Sequence, residues 1–135
     1  MNISKRNRLI ADLSSKPEPQ IVAIEVFFDG NDDPSSIGCN LMEHPGVEAF
    51  RSTLARIASR EDVEAVYAQI CELDPGEDSW PFTDTILVVG SILAEELASE
   101  LAALEPDQIG QAEAFGIAQE FVSGWSSPVL VAWWD

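Results

Sequence analysis

The sequence predicts an α+β domain: a mainly antiparallel sheet in the ferredoxin-like β-α-β-β-α-β order, with an extra N-terminal strand and two helices on one face. Three observations predict it. Two stretches, Pro45–Ser59 and Ser91–Leu104, carry a single apolar stripe at helical spacing. Runs rich in β-branched residues precede and follow them. The link from the first of these helices to the next run is only about four residues, the usual length for a helix leading into a strand. A chain of 135 residues buries roughly two thirds of its surface on folding, enough for one domain.

Residues 1–19 read as a basic arm or short helix, with Ile3, Leu9, Ile10 and Leu13 available for docking and Lys16-Pro-Glu-Pro19 ending it. Residues 20–135 form the single α+β domain. Gln20–Phe28 predicts a well-buried strand through Ile21, Ala23 and the Val26–Phe28 run. A breaker cluster, Asp29–Ser36, follows, and Ile37–Met42 is a shorter strand weakened by Gly38. Pro45 suits a first helical turn, and Val47, Phe50, Leu54 and Ile57 form the stripe of the first long helix. Asp62–Leu73 fits a helix through Val63, Val66, Tyr67 and Ile70, or a strand with Val66, Ala68 and Ile70 on one face. The short link from the preceding helix favours the strand. Thr83–Val89 is a strand. Ser91 then caps a helix whose stripe is Leu93, Leu97, Leu101 and Leu104. Glu105–Ser127 contains Pro106, Gly110, Gly116 and Gly124, and reads as a long loop or one holding a short helix near Gln111–Gln119. Pro128–Trp134 is the last strand. Adjacent Trp133 and Trp134 there point to opposite faces.

Charge says more than composition. There are 24 acids and seven bases, for a net charge of −17. All seven bases lie in residues 1–60 beside eight acids; residues 61–135 hold sixteen acids and neither Lys nor Arg. Such a field repels nucleic-acid phosphates and anionic lipid, and favours a basic protein partner or a cation. Cys39 and Cys71 make no disulfide framework. No secretory h-region, lipidation motif or run of apolar residues long enough to span a bilayer is present, so the cytoplasm is the expected compartment.

Candidate sites are few. Asp29, Asn31 and Asp33 occupy positions 1, 3 and 5 of a calcium-loop pattern, but Pro34 replaces the glycine and Asn40 the bidentate glutamate. The competing reading is a turn closed by Asx hydrogen bonds. Cys39 and His44 are the one nucleophile–base pair close in sequence, set against a buried thiol and a polar residue before Pro45. Phosphate-loop, Ser-His-Asp and zinc-protease motifs are lacking, and no cofactor is expected.

The stretches Phe27–Pro34, Ser36–Leu41, His44-Pro-Gly46, Trp80-Pro-Phe82 with Asp84, and Trp133-Trp-Asp135 together resemble those of a group of small, acidic, uncharacterised bacterial proteins. The resemblance spans Ile21 to Asp135. It implies a bacterial, soluble, single-domain protein and carries no assigned activity.

Two functional readings follow. The first is a non-enzymatic interaction module of immunity or inhibitor type that masks a basic partner, with Glu77, Asp78, Trp80, Glu95, Glu96 and Glu100 as its contact residues. The second is a small-ligand or divalent-cation domain using the Asp29–Asn40 loop. An uncovered apolar sheet face would additionally favour a homodimer.

Overall fold

An asparagine sets the first element. Asn2 Oδ1 accepts from the Lys5 backbone N–H at 3.0 Å and caps helix α1, Ile3–Ser14. Leu9 and Leu13 recur at helical spacing and are buried in the main core, so this segment is a packed helix. These features come from a computed structural model that describes residues 1–117 and 119–135.

The run after Gln20 departs from the predicted long strand. Strand β1 is only Ile21–Ala23, and the chain then turns into a short helix α2, Ile24–Phe28. A run of consecutive apolar residues does not by itself distinguish strand from helix. Here Ile24, Phe27 and Phe28 share a helical face and are buried, while Val26 stays exposed. Ile37–Met42 forms no strand either. Ile37 makes one isolated parallel bridge to Thr83, and Leu41 N–H then bonds back to Gly38 O at 3.0 Å in a turn.

Helix α3, Val47–Ala58, buries Phe50, Leu54 and Ile57 as its stripe requires. Strand β2, Val63–Glu72, follows within a few residues, and β3, Phe82–Gly90, pairs with it antiparallel. Helix α4, Ala94–Leu101, starts two residues later than a Ser91 cap would place it. Its N-cap is Leu93, which is exposed, while Leu97, Leu101 and Leu104 are buried. Strand β4, Gln108–Gln111, was not legible in the loop-like segment. A short 3-10 turn, Ala112–Phe115, and helix α5, Gln119–Ser123, come after it, and β5, Val129–Trp133, ends the sheet.

The sheet order is β1-β2-β3-β5-β4, with every neighbouring pair antiparallel. This corrects the ferredoxin-like expectation, which needs two interleaved β-α-β halves. That arrangement relied on Ile37–Met42 as a strand. With that segment in a turn, β2 and β3 form a hairpin and β5 adds beside β3. The coarser expectation, a mixed α+β domain built on an antiparallel sheet, is what the chain forms.

Alternation along the strands divides two cores. Val66, Ala68, Ile86, Val88, Leu130 and Ala132 join the helices in the larger one. Leu87, Val89, Val129 and Val131 lie on the opposite face, under Ala112, Phe115, Ile117, Phe121, Val122 and Trp125. Trp133 and Trp134 divide between the two as their adjacency predicts. Trp134 packs edge-on to Phe50 at 5.7 Å and its indole N–H donates to Leu104 O at 2.8 Å. The apolar half of the second face is therefore packed against by the chain's own residues.

Gly90 closes the β2–β3 edge. A Cβ at this position would stand 2.2 Å from Asp62 O and 2.8 Å from Val63 Cα. Both obstacles are backbone, so neither can swing aside. Gly90→Ala should therefore cost about 2–3 kcal/mol, read from the urea midpoint. A variant within 0.5 kcal/mol (~RT) of the parent would show that this edge opens freely.

Candidate functional site

The Asp29–Asp33 loop uses its oxygens internally. Asp29 Oδ1 accepts from Lys5 Nζ at 2.6 Å, and Asp32 pairs with the Met1 amino group at 2.9 Å. Asn31 Oδ1 accepts from Asp33 N–H, and its Nδ2 donates to Ser36 Oγ, both at 2.9 Å. Asp33 Oδ1 accepts from Ser35 N–H and its Oδ2 from Trp80 N–H, again at 2.9 Å. These are the Asx bonds of a turn. They bind the loop to α1 and to the β2–β3 connection instead of converging on an ion. Among the described residues, no group of three or more His, Cys, Asp or Glu is arranged to hold a metal.

His44 is likewise occupied. Gly46 N–H donates to Nδ1 at 2.9 Å, which leaves Nε2 protonated and donating to Ile37 O at 2.7 Å. The ring organises the turn before α3. The Cys39 thiol instead bonds Asn40 Oδ1 at 3.3 Å. Cys39 and Cys71 do come together, lining a cavity of about 130 Å³ with Thr83 and Asp84. Burial, then the nearby Asp84 carboxylate, pushes the Cys71 thiol up to about 11. It stays protonated at neutral pH and is a poor nucleophile.

The expected partner-binding residues separate into three groups. Trp80 leaves the set: it is fully buried in the main core. Glu96 and Glu100 are not the unpaired acids their helix suggested. Arg60 Nη2 bonds Glu96 Oε2 at 2.8 Å, and Arg56 Nε bonds Glu100 Oε2 at 3.3 Å. Arg60 also forks onto Asp62, Nε to Oδ1 at 2.8 Å and Nη2 to Oδ2 at 2.9 Å. That hydrogen-bonded pair holds the Asp62 carboxyl below its usual range. The network ties α3 to α4 across sequence. Glu77, Asp78 and Glu95 remain exposed and outside any ion pair among the described residues.

Charge is used unevenly. Lys5, Arg6, Arg51, Arg56 and Arg60 all form internal ion pairs. Of the sixteen acids in residues 61–135, four (Asp62, Asp74, Glu96 and Glu100) meet a cation, leaving twelve without one among the described residues.

A feature the sequence did not expose lies at the polar end of the second sheet face. Ile21, Gln69, Thr85, Trp133 and Gln108 are direct cross-strand partners, one from each strand, in a single row. The last four line a groove of about 320 Å³ walled by Phe115 and Ile117. The alternation of Thr85 and Trp133 with core residues was readable. The row itself was not, because Gln108 belongs to the unexpected β4.

A relative from Escherichia coli (strain K12), described as uncharacterized protein YfbO, is 29% identical over 125 residues, covering 88% of this chain and 84% of that protein. No solved structure matches the chain. The model of the uncharacterized protein YfbO family matches residues 4–128, from α1 to the start of the last strand, and the chain belongs to that family.

Proposed function

We propose that the protein is a non-enzymatic interaction module, of the immunity or inhibitor type, whose acidic surface docks a basic partner protein. One observation carries this reading: among the described residues, twelve acids of the second half have no internal cation, while five of the seven bases are consumed by internal pairs. Charges left unpaired on one part of a small domain project a field that speeds association with a basic surface and disfavours acidic ones. The Asp29–Asp33 loop spends its oxygens on its own turn, on α1 and on the β2–β3 connection, which favours this reading over the cation reading.

Glu77 and Asp78, in the β2–β3 connection, and Glu95, in the first turn of α4, are the best-placed contacts. Glu96 and Glu100 serve the α3–α4 network first. The triple reversal Glu77→Lys, Asp78→Lys, Glu95→Lys should leave stability within about 1 kcal/mol of the parent. It should weaken the complex by roughly 10- to 100-fold. The measurement is retention of source-cell proteins on immobilised parent and variant at low and high salt. A protein held by the parent at low salt, released by high salt and lost by the variant is the expected result. Identical retention on both columns would overturn the reading.

A further inference from the structure

We propose that Cys39 and Cys71 form a dithiol modification site, which closes reversibly into one internal disulfide on reaction with a low-molecular-weight disulfide. The proposal is independent of the interaction reading above and concerns thiols that reading does not use.

The fold delivers both thiols to one place. Thr83, near the start of β3, is the backbone partner of Ile70 in β2 and of Ile37 in the isolated bridge. Cys71 directly follows Ile70, and Cys39 follows Ile37 through Gly38, where a φ of 66° turns the chain. Both cysteines line the same cavity of about 130 Å³, together with Phe82, Thr83, Asp84 and Trp134. That volume is about four water molecules, so thiols on its walls are near neighbours. The charges agree with this. After burial and the Asp84 carboxylate, an ionised Cys39 also disfavours the Cys71 thiolate.

Neither thiol is locked in place. Both are free and exposed. Each makes a weak hydrogen bond at 3.3 Å, Cys39 to Asn40 Oδ1 and Cys71 to Phe82 O, which rotation of the thiol breaks at small cost. A disulfide needs Cα atoms about 4.4–6.8 Å apart, and both backbones have room to adjust. Cys71 is the bulged residue of β2: the register steps from Ile70↔Thr83 to Glu72↔Phe82 and leaves it without a partner in the ladder. Cys39 lies in the turn closed by Leu41 N–H to Gly38 O.

The chemistry is two thiol–disulfide exchanges. The Cys39 thiolate attacks one sulfur of the small disulfide. A mixed disulfide forms, the small disulfide's S–S bond breaks, and one small thiol leaves as thiolate and takes up a proton. Cys71 then loses its proton to solvent and attacks the Cys39 sulfur. The Cys39–Cys71 bond forms and the second small thiol leaves. Together the two cysteines give up two electrons and two protons, and the small disulfide is reduced to two thiols. Cys71 suits the second step, because its thiolate is scarce and an intramolecular attack compensates for that. Asp84 and Asp135 border the cavity and oppose an anionic oxidant, so a cationic disulfide is the better probe.

The test treats dilute, folded protein with cystamine and reads intact mass and the linked peptides. The parent should lose two hydrogens as a monomer, with Cys39 joined to Cys71, and recover its mass in dithiothreitol. Cys71→Ser should instead hold one cysteamine on Cys39. Cys39→Ser should form no internal bond. The oxidised parent should melt at least about 5 °C above the reduced form, since the bond closes a long loop of the unfolded chain. The parent's own mass decides the matter even if a serine variant fails to fold. Cysteamine retained on both cysteines, disulfide-linked dimers alone, no reaction, or a bond that forms only in urea would each overturn the proposal.

Discussion

Replacing Arg6 with Met should lower the unfolding free energy by about 3–5 kcal/mol. The Arg6 side chain is only 7% exposed and spends its guanidinium on the β2–β3 connection. Nε donates to Ser79 O at 2.7 Å, Nη2 to Gly76 O at 2.5 Å and to Asp74 Oδ1 at 2.8 Å, and Nη1 to Asn7 Oδ1 at 2.9 Å. One residue thus fixes α1 to a loop about seventy positions away. Methionine preserves much of the stem volume and removes every donor, stranding two backbone carbonyls. Asp74→Ala should cost under about 1 kcal/mol, because Asp74 is 65% exposed and the carbonyl bonds survive without it. Arg6→Lys should recover little, since an ammonium does not reproduce the planar fork that spans these acceptors. Urea unfolding of the three variants is the measurement. Arg6→Met within 1 kcal/mol (~1.7 RT) of the parent, or equal to Asp74→Ala, would show that the loop is held by its own turn.

Arg6 also marks where sequence reasoning stops. Periodicity located α3, β3 and β5, because each has a stripe or alternation that survives in isolation, while β2 fitted helix and strand alike and was settled by its short link from α3. It misread Ile24–Phe28, where the same apolar residues satisfy a strand or a helix and only packing decides. It missed β4, whose Gln-Ile-Gly-Gln has weak strand propensity and owes its pairing to β5. Gly110 belongs there for a packing reason: a Cβ would stand 3.2 Å from the Phe115 ring that folds back over the strand. Acids were countable from the sequence, but their partners were not. Arg60 reaches Glu96 across 36 positions, so which acids stay free is a property of the fold. The groove shows the same limit, since its four floor residues come from four strands that neighbour only in the sheet.

Trp80→Ala should cost about 3–5 kcal/mol and Trp80→Phe distinctly less, about 1–2 kcal/mol. Trp80 has 0% exposure and is the largest fully buried side chain, so truncation to alanine opens a cavity beneath the hairpin connection. Phenylalanine keeps most of the packing. It also discards an indole N–H that is buried without a hydrogen-bond partner among the described residues, which offsets part of the lost volume. The backbone contact from Trp80 N–H to Asp33 Oδ2 is independent of the side chain and survives both substitutions. Asp33→Ala removes that acceptor and the Ser35 cap together, and should cost about 2 kcal/mol although the tryptophan is untouched. The pair of tryptophan variants also bears on partner recognition. A side chain inside the core touches no partner, so Trp80→Phe should retain the same proteins as the parent at every salt concentration. If Trp80→Phe folds with near-parental stability yet releases the partner that the acidic reversals release, then the residue reaches the interface and the packed position described for it fails.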